Sequence, residues 1–204
     1  MSDSKENLDV GLAKIFESLF SKKHFAMPGQ VISFDSALQT VSVQPSLKVL
    51  FQGNPVPQLL PVIEDVPIVY PGGGNFFVTF DILPGHNVLL IFAERSIANW
   101  ANLGGIADPQ STRKNHLSDA IAIPGILPTP TALKPPVDAA ALTLRNLANT
   151  TVVRLKDTDI EITTPTGSIK SGPSEIEVST GPGSIKLNTA TGQADINGNF
   201  TVDV

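Results

Sequence analysis

The residues in this chain whose types lend themselves to chemistry are few and scattered. There are three histidines in 204 residues and no cysteine, which rules out disulfides and a thiolate metal site. His24, His86 and His116 lie far apart in the sequence. His86 falls in the turn-like Pro84-Gly85-His86-Asn87, and His116 follows Lys114 closely. Both read as surface or hydrogen-bonded residues rather than catalytic bases. Asp35 and Asp81 fit turn chemistry. Asp157, Asp159, Glu161, Glu175 and Glu177 form a carboxylate-rich zone, and paired carboxylates can hydrolyse glycosides. Glu161 and Glu177, however, alternate with Ile and Val as solvent-facing strand residues do. Lys156, Lys170 and Lys186 are spaced to balance them across strands. Gly72-Gly73-Gly74 lacks the Lys-Ser/Thr and the helix start of a phosphate loop, so it reads as a turn between strands. The expectation is a non-enzyme with no catalytic, cofactor-binding or metal-ligating residues.

Composition narrows the partners. The net charge is −5, and no Lys or Arg lies between Lys48 and Arg95. Nucleic acid is therefore not an expected partner, because binding it needs clustered cations to displace counterions. Phe76, Phe77 and Phe80 offer faces for base stacking but no basic groove around them. Seventeen Pro, sixteen Gly and only one Trp and one Tyr point to many short connections rather than long helices. Met1 to Asn7 is polar and acidic, unlike a signal peptide, so synthesis and folding in the cytoplasm are expected. The longest apolar run, residues 88–93, is too short to span a bilayer and reads as a buried strand.

These residues must be positioned by short elements. Leu8, Leu12, Ile15 and Leu19 recur at four, three and four residues, with Phe16 and Phe20 widening the stripe; this predicts a helix over residues 4–20. Met27-Pro28-Gly29 then opens an all-β region. Residues 30–34 and 40–43 alternate around Asp35-Ser36-Ala37 as a hairpin. Further strands are expected at 47–51, 66–69, 76–80 and 88–93, with a short helix across Ile97, Trp100 and Leu103 and an apolar element at 120–123. That count in roughly a hundred residues suggests a small Greek-key barrel of the OB kind. Residues 128–150 are rich in Pro and Thr and read as an extended linker.

The last stretch, residues 151–204, is a ladder of short alternating segments. Asp159–Lys170 returns sixteen residues later as Glu175–Lys186, so each unit should hold two strands and two turns. Every strand offers one or two aliphatics to a core, and no amphipathic helix follows to cover them. A single-chain solenoid of this length would have few turns and two open ends. Three chains wound into a prism would bury the same stripes and satisfy the strand edges. An antiparallel meander on a larger sheet is the alternative.

Certain residues resemble a known family. Val66-Pro67-Ile68-Val69-Tyr70-Pro71-Gly72-Gly73-Gly74, then Pro84-Gly85 with Val88 to Phe92, resemble the N-terminal barrel of phage baseplate central-spike proteins. Arg95, Trp100 and Arg113-Lys114-Asn115-His116-Leu117-Ser118-Asp119-Ala120 fit the same pattern. The resemblance covers about residues 27–127 and implies an OB-like barrel from which a trimeric β-helix projects to pierce the host outer membrane when a sheath contracts. Family members often carry a His-x-His motif that binds iron at the apex. It is absent here, so no cofactor is expected.

The chain is accordingly read as mainly β, in four parts: an N-terminal helix (1–26), an OB-fold-like barrel (27–127), a Pro-rich linker (128–150) and an intertwined trimeric β-helix or β-prism spike (151–204). The expected trimer core is Val153, Leu155, Ile160, Ile162, Ile169, Ile176, Val178, Ile185, Leu187 and Ile196. Phe200, Val202 and Val204 are expected at the apex, unless a separate tip protein closes it. Expected partners are two sister copies, the baseplate hub proteins and, transiently, the host outer membrane; the expected location is the tail baseplate of the virion. The alternatives are a spike of a non-phage secretion or injection system, and an OB-fold glycan or nucleic-acid binding module on an oligomerisation stalk.

Overall fold

The computed structural model describes residues 10–16, 20, 23–50 and 55–198. The protein is mainly β and divides into two compact units, Met1–Ile126 and Leu127–Val204. Among the described residues no helix is long and apolar enough to cross a membrane.

The first unit is built on β1 (Ala26–Asp35), β2 (Thr40–Pro45), β3 (Ile63–Pro67), β4 (Gly72–Gly73), β5 (Phe76–Phe77), β6 (Asn87–Phe92) and β7 (Ala120–Pro124). Five of these form one antiparallel sheet in the order β3-β2-β1-β6-β7. Just beyond β3, Ile68 bridges Ala122 of β7 in parallel, and the Val69 N–H donates to the Ala122 carbonyl at 2.9 Å. That contact joins the two outer strands of the sheet, the arrangement expected of an OB-like barrel. Curvature comes from register shifts between Val31 and Ser33 on β1 and, opposite Val41 to Val43, between Ile63 and Val66 on β3, since a bulge bends its strand. Asp35 Oδ1 accepts from the N–H groups of Ala37 and Leu38, which closes the β1–β2 turn.

The core lies inside this sheet. Val31, Val41, Val43, Val88, Leu90 and Ala122 are at most 1% exposed. Gly29 is required here: a Cβ on it would fall 2.4 Å from Val43 Cγ1. The run at 88–92 is half-buried rather than enclosed. Val88, Leu90 and Phe92 point into the core, while Ile91 is 39% exposed on the outer face. A run of consecutive aliphatics fixes a strand but not whether both of its faces are covered.

The sequence overestimates two strands. Residues 76–80 were expected to form a full strand, yet only Phe76 and Phe77 pair, with Gly72 and Gly73 opposite. Gly72 leaves room for the Phe77 ring, which a Cβ would meet at 2.3 Å. The expected strand at 47–51 reduces to a bridge between Val49 and Gln58 within the described residues. The expected N-terminal helix is present at residues 10–16 and 20.

The second unit is a seven-stranded antiparallel meander: β8 (Leu142–Arg145), β9 (Val152–Leu155), β10 (Ile160–Thr164), β11 (Gly167–Ser171), β12 (Glu175–Thr180), β13 (Gly183–Asn188) and β14 (Ala194–Asn197). Each strand pairs with its neighbour in the chain. The two copies of the sequence repeat are the hairpins β10–β11 and β12–β13. Strand β8 falls inside the stretch read from sequence as linker.

Candidate assembly surfaces

The meander register sorts its side chains with unusual regularity. One cross-strand row runs Leu144, Val153, Ile162, Ile169, Val178, Ile185, Ile196, each residue directly opposite the next. A second row runs Leu142, Leu155, Ile160, Ser171, Ile176, Leu187, Ala194. Strand alternation puts both rows on the same face. All ten residues expected in a trimer core lie in these rows. Leu142 and Leu144 extend them and were missed, although their alternation with Thr143 and Arg145 is visible in the sequence; the surrounding prolines drew that stretch into the linker.

Among the described residues of the meander, this aliphatic face is left half-open. Leu155, Ile160, Ile162, Ile169, Ile176, Val178, Ile185, Leu187 and Ile196 are between 36% and 54% exposed. Phe200, Val202 and Val204, expected at the apex, lie outside the described residues.

The opposite face carries a row of alternating charge: Thr143, Arg154, Glu161, Lys170, Glu177, Lys186, Asp195, again in direct register. Glu161 sits between Arg154 at 3.3 Å and Lys170 at 3.5 Å, and Glu177 pairs with Lys186 at 3.3 Å. The Glu161 side chain is only 17% exposed, less than any of the nine aliphatics on the other face. Of the carboxylates that suggested glycoside chemistry, Glu161 and Glu177 are thus each held against cations of neighbouring strands. Lys156 likewise pairs with Asp159 at 3.3 Å.

In the barrel unit the histidines serve local structure. His86 Nδ1 accepts the Leu83 N–H at 3.2 Å and His116 Nδ1 accepts the Ser118 N–H at 3.2 Å. His24 rests against Phe92 with ring centroids 5.5 Å apart. Burial, together with the nearby His116, pushes the His24 pKa below its ordinary value.

One polar cluster was not anticipated. The Asp119 side chain is fully buried and takes two hydrogen bonds from Arg113, Nε to Oδ2 at 2.7 Å and Nη2 to Oδ1 at 2.9 Å. Its Oδ1 also accepts the Ile97 N–H at 3.1 Å. Burial pushes this carboxyl up. The Arg113 hydrogen bonds, the Ile97 N–H and the charges of Arg113 and His116 outweigh that, and the net direction is down. The pair ties the connection between β6 and β7, which carries the short helix Ala98–Leu103, onto the sheet. Only an acid directly before the apolar segment 120–123, with a cation six residues upstream, hinted at it.

Several apolar side chains of this unit remain outside its core. Phe76 at the β4–β5 hairpin is 84% exposed and Phe77 65%, while Trp100 and Leu103 of the short helix are 48% and 79% exposed.

Comparison with known proteins bears on this unit. Residues 27–125 match the family model described as phage protein Gp138 N-terminal domain. The match spans the OB-like sheet from the start of β1 to the end of β7, and it supports a phage protein with a virion-associated role. No curated protein matches the chain.

Proposed function

We propose that this chain is a non-enzymatic structural protein: the homotrimeric central spike of a contractile phage tail baseplate, which pierces the host outer membrane when the sheath contracts. The observation that carries this reading is the pair of half-exposed aliphatic rows on one face of the meander, in a chain whose barrel matches a phage domain. Contiguous exposed apolar faces of this kind mark assembly surfaces. Three such faces turned toward a common axis form a prism with a dry interior. Covering each aliphatic contributes about 1 kcal/mol at the usual value per unit of apolar area.

In this assembly each chain supplies one wall whose strands pair within the chain, in place of strands threaded alternately among three chains. The charge ladder faces outward, where its alternating signs give neighbouring strands a fixed register. The mechanism is mechanical: a hydrogen-bonded prism resists local unfolding and passes the force of contraction onto a small membrane area. The barrel unit attaches to the baseplate hub.

The test is the solution mass of the full chain beside that of Ile176→Asp. The spike reading expects three chains for the parent and a lower mass for the variant, because three carboxylates near one axis cannot be desolvated cheaply. A single-chain mass for both removes the reading.

A further inference from the structure

Strand β14 ends on the one Asn-Gly pair in the sequence, Asn197-Gly198, and both residues are exposed. The other described asparagines of this unit have their side chains engaged. Asn146 Oδ1 accepts the Thr150 N–H at 2.8 Å, Asn149 Oδ1 accepts from Arg145 Nη1 at 3.2 Å, and Asn188 Oδ1 accepts the Thr191 N–H at 3.0 Å. Among the described residues the Asn197 carboxamide has no such partner.

The register also leaves the next backbone nitrogen open. The Asn188 N–H donates to the Gln193 carbonyl at 2.8 Å, which makes these two a hydrogen-bonded pair. Bonded and non-bonded pairs alternate along an antiparallel ladder. Lys186 with Asp195 and Ser184 with Asn197 are therefore bonded pairs, and Gly198 follows at a non-bonded position beside Gly183. Its N–H points away from β13, toward the outer edge of the sheet, where no described strand lies. The Gly198 φ of +118° suits glycine, and glycine brings no side chain to screen its nitrogen.

We propose that Asn197 is a self-modification site, which loses its side-chain nitrogen as ammonia without an enzyme. The Gly198 nitrogen attacks Asn197 Cγ, and the new C–N bond closes a cyclic succinimide. The Cγ–Nδ2 bond breaks, and the proton from the Gly198 nitrogen leaves with the ammonia. Water then opens the ring at one or the other carbonyl, giving aspartate or isoaspartate. Either product adds a negative charge to the chain. Isoaspartate also lengthens the backbone by a methylene, which takes the end of β14 out of register with β13. Strand alternation puts Asn197 on the same face as Asp195, the charged one, so packing the aliphatic faces together leaves it open to water. The proposal therefore does not depend on the threefold reading.

The test is to age the full chain in warm, mildly alkaline buffer, folded and, in parallel, unfolded in guanidinium chloride. Each sample is digested, the asparagine-bearing peptides are followed by mass spectrometry, and isoaspartate is labelled with a methyltransferase. The expected result is conversion of Asn197 in the folded chain within about fivefold of its rate in the unfolded chain, as for a segment with no protection from structure, and ahead of Asn146 and Asn188. Asn197→Gln, whose longer side chain closes the ring far more slowly, should remove the signal from that peptide. Slower conversion in the folded chain than this overturns the proposal, because the fold then shields the pair. Conversion of Asn146 or Asn188 as fast as Asn197, or a signal that persists in Asn197→Gln, overturns it as well.

Discussion

The barrel and the meander are both antiparallel β-structure of short strands, yet they handle their aliphatic side chains in opposite ways. The barrel curls, joins β3 to β7 beyond its strand ends, and hides Val31, Val43, Val88 and Leu90 completely. The meander does not close on itself. Nine of its aliphatics are between 36% and 54% exposed, about as open as Lys170 and Lys186 on the charged face, whereas a self-sufficient sheet covers its apolar side. Part of the difference lies in the bulges at Val31/Ser33 and Ile63/Val66, which bend the barrel strands, whereas the meander register runs unbroken from β8 to β14. Sheets with the same period-two pattern thus differ in how much of their apolar side one chain covers. The barrel's stability should be a property of the chain; that of the meander should depend on concentration.

The strongest way to break this comparison is a charge on the open face. Ile176→Asp should cost several kcal/mol in the assembled form and abolish it, while changing a lone meander by no more than about 1 kcal/mol. Thermal unfolding at two protein concentrations distinguishes these outcomes. Leu90→Ala makes the matching test in the barrel: a loss of about 2–5 kcal/mol that is the same at every concentration. A concentration-dependent loss there would mean that the barrel, too, relies on neighbours.

Next in size is the Arg113–Asp119 pair. Arg113→Ala strands a buried carboxylate and should destabilise the barrel by about 3 kcal/mol, measured by denaturant titration. The pH dependence follows from the same residues. The Asp119 pKa is lowered on folding, so its contribution is fully present above the unfolded value near 3.9 and is lost as pH falls through the folded value. His24 is also lowered, so the folded state resists its protonation. Its contribution is present above about 6.5 and declines as pH falls toward the lower folded value. Acid should therefore weaken the barrel in two steps, His24 first, and His24→Phe should remove the earlier one.

The smallest effect belongs to the charge ladder. Lys186→Ala should cost under about 1 kcal/mol and should make stability less sensitive to salt, since exposed ion pairs contribute little and are screened. A larger loss would show that the ladder fixes register more firmly than pairwise attraction implies.

Much of the architecture was readable from residue order. The repeat at Asp159 and Glu175 announced the hairpins β10–β11 and β12–β13, and the ten chosen aliphatics fall in two rows on one face. Alternation reveals which face a side chain takes, but not which strand will lie alongside; pairing within the chain was therefore not evident for the meander. Leu142 and Leu144 were hidden by neighbouring prolines, although Pro135 and Pro136 leave enough chain for a four-residue strand to follow. Phe76 to Phe80 has the composition of a strand, but little of it finds a partner. The Asp119 anchor escaped notice because its partners, the Arg113 side chain and the Ile97 N–H, meet it only after the β6–β7 connection folds back.

The most direct measurement is multi-angle light scattering of the full chain across micromolar concentrations. The account predicts a plateau at three times the 21.6 kDa chain mass. A constant mass of one chain over that range would contradict it.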